Sequence, residues 1–216
     1  MPSAVTLLLL SLSFAACPTP AQTGAANTPT DQLEAYHTAV DQVFARPSEA
    51  RRARVIVVLR FLPSFQPEEE IVLMVGSGQG TNVVTYKAKG SIWRKLQEAN
   101  RTGEPLNLLA VAASVSVERK QFAVPDPIVR NWVTQLLNAV DGYSKYVRSA
   151  VTGSSRDEDS VSVDGVLYNL IVQTPQGDLT LERSAPGTLD QSQTEDPVAS
   201  AMRVIRDELS AVAKER

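Results

Sequence analysis

Residues 53–62 read Ala-Arg-Val-Ile-Val-Val-Leu-Arg-Phe-Leu. Apolar side chains fill both alternating sets of positions, Val55, Val57, Leu59 and Phe61 on one and Ile56, Val58 and Leu62 on the other. Successive side chains of an extended chain point to opposite faces. A strand apolar on both faces must be covered on both, so this segment predicts a central strand of a sheet. Residues 70–76 (EIVLMVG) repeat the pattern. Residues 82–88 (NVVTYKA) carry more polar side chains, as expected nearer a sheet edge.

Working outward, a further strand is expected at 114–122. Downstream, residues 161–163 lead into Asp164-Gly165, a strong hairpin pair. Val166, Tyr168, Leu170 and Val172 then alternate along one strand face, Thr174-Pro175-Gln176-Gly177 fits a type I turn, and 178–183 return as the next strand. Helices are expected around these strands. The first spans Asp31 to Ala45, with Thr30 as N-cap, a stripe of Leu33, Val40 and Phe44, and Pro47 as its stop. Ser91 caps a helix over 91–101. Residues 105–113 form either a short helix opened by Pro105 or an extension of the next strand.

Asp126-Pro127 and Asp196-Pro197 each pair a capping carboxylate with a proline suited to a first helical position. The first of these helices carries Ile128, Trp132, Val133, Leu136, Leu137 and Val140, with Gly142 as its end. The second spaces Val198, Met202, Ile205, Leu209 and Val212 by four, three, four and three. That covers barely two heptads, short of a sustained coiled coil, so the stripe is assigned to the protein's own sheet. Short connections favour antiparallel neighbours. The expected fold is a single α+β domain over 31–216, a mostly antiparallel sheet of five to six strands packed with four to five helices. A domain of this size buries about 70% of its unfolded surface.

Composition narrows the function. The chain has 216 residues, 43% of them hydrophobic, with 21 Lys and Arg against 24 Asp and Glu. A net charge of −3 offers no basic face, so nucleic acid is not an expected partner. One cysteine and one histidine exclude a disulfide scaffold and Cys/His zinc patterns. No metal or cofactor is expected.

Residues 4–16 read AVTLLLLSLSFAA, an uncharged apolar run of signal-peptide length, too short for a membrane span. It is followed directly by Cys17, and Phe14-Ala15-Ala16-Cys17 resembles the lipobox of bacterial lipoproteins. The match departs from that pattern in two places: Phe14 stands where leucine is preferred, and no Lys or Arg precedes the apolar core. The resemblance implies cleavage before Cys17, acylation of its sulfur and a membrane-anchored product. An ordinary secretory signal cut after Ala15, giving a periplasmic or secreted protein, remains the alternative. Residues 1–16 are thus read as a signal peptide and 17–30 as a flexible tether. The tether's composition, rich in Pro, Thr and Ala, cannot bury enough surface to order it. A chain of that length reaches roughly 20 Å.

Candidate chemistry is sparse. Gly76-Ser77-Gly78-Gln79-Gly80 lies between strands and not before a helix, so it reads as a hairpin loop and not a phosphate cradle. His37, the one imidazole, falls beside an apolar stripe and reads as a hydrogen-bonded residue at the core's edge. Glu68-Glu69-Glu70 and Asp157-Glu158-Asp159 read as solvated acidic loops. Arg51, Arg52 and Arg54 read as a solvated strand entry, with an anionic membrane as the alternative partner. Tyr143, Lys145, Tyr146 and Arg148 read either as an aromatic-basic patch or as a continuation of the preceding helix. The expected function is a non-enzymatic, exported binding or envelope-associated module, lipid-anchored through Cys17, whose protein or envelope partner the residues do not name. The alternatives are an extracytoplasmic hydrolase using carboxylates and His37, and a structural subunit that assembles through the C-terminal helix.

Overall fold

The computed structural model describes residues 29–44, 47–76, 81–101, 105–153, 165–185 and 196–214. Six strands form one antiparallel sheet: β1 (Val55–Pro63), β2 (Glu69–Val75), β3 (Val83–Ala88), β4 (Val117–Phe122), β5 (Val166–Thr174) and β6 (Gly177–Ala185). Their order across the sheet is β4-β3-β2-β1-β5-β6, which makes β1 and β2 interior strands, as their two-sided apolar pattern requires. Among the described residues five α-helices accompany them: α1 (Pro29–Val43), α2 (Ile92–Arg101), α3 (Leu108–Ala113), α4 (Asp126–Gly153) and α5 (Pro197–Lys214). The α+β class, the antiparallel sheet and the counts of strands and helices are those expected.

The period of two sorts the strand residues into two cores. Val57, Leu59, Phe61, Ile71, Leu73, Tyr168 and Leu170 pack beneath α4 and α5, against Trp132, Leu136, Met202 and Ile205. Val58, Leu62, Val72, Met74, Val84 and Tyr86 pack beneath α1, α2 and α3, against Val40, Phe44, Ile92 and Val111. The sheet is therefore the middle layer of three. The α5 stripe is spent on this sheet: Val198, Met202, Ile205 and Leu209 are all buried.

Several local expectations need correction. Helix α1 begins at Pro29, so Thr30 lies inside it and is not its cap. Leu33 is 41% exposed, while Val40 and Phe44 are buried as expected and are joined in the core by Tyr36 and Ala39. Asp126 belongs to the first turn of α4 and binds Arg130 Nε at 2.9 Å, so its carboxylate serves as an i,i+4 ion pair and not as a cap. Ile128 and Leu137 are exposed, while Val129 joins Trp132, Val133 and Leu136 in the core. Gly142 does not end α4. A glycine costs a helix about 1 kcal/mol relative to alanine, too little to stop one already packed. In the short helix α3, Asn107 is the cap, accepting the Ala110 amide at 3.1 Å, and Pro105 lies outside it. The expected cap of α5 forms: Asp196 Oδ1 accepts the amides of Val198 and Ala199 at 2.8 and 3.0 Å.

Candidate functional site

A line of side chains runs across the sheet face beneath α1, one from each strand. Cross-strand register places Arg119, Tyr86, Glu70, Arg60, Asn169 and Glu182 side by side from β4 to β6. At its centre Arg60 Nε donates to Glu70 Oε2 at 2.7 Å, both side chains being buried. A second guanidinium nitrogen reaches Asp41 of α1 at 2.6 Å. Burial alone would pull the Arg60 pKa down, but Glu70 and Asp41 outweigh it and hold the group more firmly protonated. His37, one turn before Asp41, places Nε2 3.2 Å from Glu182 Oε2 at the sheet's far edge. Two helical side chains thus pin α1 across β1 and β6. Both polar contacts are used within the fold.

The run Glu68-Glu69-Glu70 is not a solvated loop. Glu68 and Glu70 are 0% and 2% exposed, and only Glu69 faces the other side of the sheet. Alternation along β2 separates them, which a reading of charge density alone misses. Glu68 is a hub. Its two oxygens accept the amides of Ile92 and Trp93 at 2.8 and 3.0 Å, the Tyr36 hydroxyl at 3.0 Å and the Ser91 hydroxyl at 3.3 Å. A carboxylate distant in sequence thereby caps α2, where free amides and the helix dipole favour negative charge. Burial, then the charge of Glu68 and its hydrogen bond, push the Tyr36 hydroxyl far above the ordinary tyrosine range.

This hub fixes one wall of a cleft of about 390 Å³. Trp93 lies against Tyr36 edge to face, with ring centroids 5.1 Å apart. Arg94, Gln97 and Arg101 follow along α2 at spacings of three and four, which places them on one helix face. The opposite wall is Ser64-Phe65, in the turn between β1 and β2. It is held by Ser64, whose hydroxyl donates to the Gly165 carbonyl at 3.2 Å. Phe65 is 57% exposed. Glu98 also lines the cleft, but Lys95 binds its carboxylate at 3.2 Å. Among the described residues neither Arg94 nor Arg101 has an ion-pair partner for its guanidinium. A second groove, of about 180 Å³, crosses β2, β3 and β4 beneath the end of α5, with charges of both signs along it. There Lys120 pairs with Glu118 at 3.0 Å, and Arg206 lies over the Phe61 ring, 4.9 Å from its centroid.

The remaining sequence candidates fall elsewhere. Cys17, residues 1–16 and most of the expected tether lie outside the described residues, as do Ser77–Gly80, the acidic run 157–159 and residues 161–164. The side chains of Tyr143, Lys145, Tyr146 and Arg148 also lie outside them, although the backbone there continues α4. Arg51, Arg52 and Arg54 are exposed around the short 3-10 turn Ser48–Arg52 and β1's entry. No cluster of three or more metal-ligating side chains occurs among the described residues, and no described helix is long and apolar enough to cross a membrane.

Sequence reasoning missed Phe65, Trp93, Arg94 and Arg101. The available signal was the seven-residue spacing of two arginines on a helix correctly bounded, opposite an aromatic residue stranded in a turn. No protein-family model, curated protein or solved structure matches the chain.

Proposed function

We propose that this protein is an exported, lipid-tethered binding module with no catalytic role, and that its ligand face is the cleft between Phe65 and α2. The observation that supports this most is the pair of arginines that have no ion-pair partner among the described residues, beside an exposed phenylalanine, in a cleft whose walls are each fixed by a hydrogen bond. A desolvated cation is costly to leave unpaired, but an exposed one costs nothing until a ligand covers it, so such groups are suited to recognition. Clefts of several hundred Å³ with a few convergent polar groups are the usual form of ligand sites. The N-terminal signal supplies the address, and Cys17 the anchor.

The test is sedimentation of the full chain with an envelope fraction from the producing cell. In a Cys17→Ala background, which carries no lipid anchor, the chain should co-sediment, and adding Phe65→Ala with Arg101→Ala should release it. A hydrolytic reading has one observation in its favour, the His37–Glu182 contact, which resembles a base held by its orienting carboxylate. Turnover of an ester, peptide or glycoside substrate that vanishes in His37→Ala would replace the binding reading with that one.

A further inference from the structure

We propose that the ligand of this cleft is an extended acidic peptide segment with two carboxylates three residues apart and an apolar side chain between them. The inference rests on the binding-module reading and specifies its ligand. Arg94 and Arg101 are separated by seven residues of one helix, about 10 Å along its axis. A peptide in the extended polyproline II conformation advances about 3.1 Å per residue with three residues per turn, so carboxylates at positions i and i+3 share one face and are also about 9 Å apart. A guanidinium matches a carboxylate in geometry and binds it through paired N–H groups. Gln97, able to donate to a peptide carbonyl, lies between the two cations along α2, and the exposed ring of Phe65 lines the same cleft. Glu98 is held by Lys95, which leaves the net charge facing the ligand positive. A polyanionic nucleic acid is the poorer fit, because two cations on a chain of net charge −3 provide no continuous basic track.

The protein carries its own reporter. Of its two tryptophans, Trp132 is 1% exposed in the opposite core, whereas Trp93 lines the cleft. Titration of the full chain with an acetylated, amidated Asp-Ala-Leu-Asp peptide should change tryptophan emission saturably, and Trp93→Phe should remove the change. Arg94→Ala and Arg101→Ala, both on exposed side chains, should each weaken binding about tenfold or more, the cost of one charge-assisted contact. The Lys-Ala-Leu-Lys counterpart should not bind. Equal affinity for the lysine peptide, or undiminished affinity in the double arginine variant, overturns the proposal. Envelope association that depends on Phe65 and Arg101, in a protein that ignores the acidic peptide, also overturns it while leaving the binding module intact.

Discussion

Glu68 shows how much one side chain can determine. It is fully buried, yet its oxygens receive two amides and two hydroxyls, so its charge is met by donors and not by a cation. Glu68→Gln keeps the shape but turns half of the acceptor into a donor facing other donors. A loss of about 1–3 kcal/mol is expected from urea unfolding, with altered Trp93 emission in the folded protein, because the same residue seats that ring. Tyr36→Phe removes one of those donors and should cost about 1 kcal/mol at neutral pH. Its effect has a pH signature. The folded-state pKa of Tyr36 is raised above the unfolded value near 10, so the folded protein keeps a proton that the unfolded chain releases. Its contribution is fully present below pH 10 and declines as pH rises beyond it. By pH 11 the decline should reach about 1.4 kcal/mol in wild type, enough to cancel or reverse the difference between wild type and Tyr36→Phe. Urea midpoints measured at pH 9, 10 and 11 test this. A difference that stays constant over that range would show that burial of the hydroxyl is not what holds the proton.

At the scale of elements, the sheet was legible because its evidence is periodic. β1 and β2 declare two covered faces, β5 alternates, and the Thr174–Gly177 turn joins β5 to β6 as read. Helix α5 was equally plain, since its stripe and Asp196 cap are local features. What failed were quantities that depend on a neighbour. Leu33 lies on the expected side of α1 by sequence, but α1 presents Tyr36, Ala39 and Val40 to the sheet. Gly142 reads as a stop, but one glycine costs a helix only about 1 kcal/mol, and α4 runs through it. The polar line beneath α1 could not be read at all, because register between strands decides which charges meet. Its centre gives a sharp prediction. Among the described residues Glu70→Ala leaves the buried Arg60 guanidinium paired with Asp41 alone, itself 63% exposed, and should cost about 3–5 kcal/mol. Arg60→Met combined with Glu70→Leu removes both charges and fills the space with apolar atoms. That double variant should lie within about 1 kcal/mol of wild type, or above it. Two equal and additive losses would mean that the pair does not act as a unit.

At the scale of the whole molecule, the two cores share one sheet, and each interior strand contributes to both. Val57 and Val58 are adjacent in sequence but lie in opposite cores, so neither layer can come apart without disturbing the strand that serves the other. Such coupling favours a single cooperative transition, although the helical layers differ in sequence and size. The two tryptophans make this measurable. Trp132 belongs to the core under α4 and α5, and Trp93 packs against the core under α1, α2 and α3. Met202→Ala empties part of the first core and should cost about 2–5 kcal/mol. Val40→Ala does the same in the second at a smaller cost, having fewer methyl groups to lose. In each variant, unfolding followed through Trp132 alone (in a Trp93→Phe background) should shift to the same midpoint as unfolding followed by far-ultraviolet circular dichroism. If Val40→Ala moved only the Trp93 signal, α1 to α3 would be a separately melting layer. The cleft between Phe65 and α2 would then belong to the less stable part of the molecule, and ligand binding there would be coupled to its ordering. Coincident midpoints place that cleft on the rigid sheet, which is the condition for two arginines on α2 to hold a fixed spacing toward a ligand.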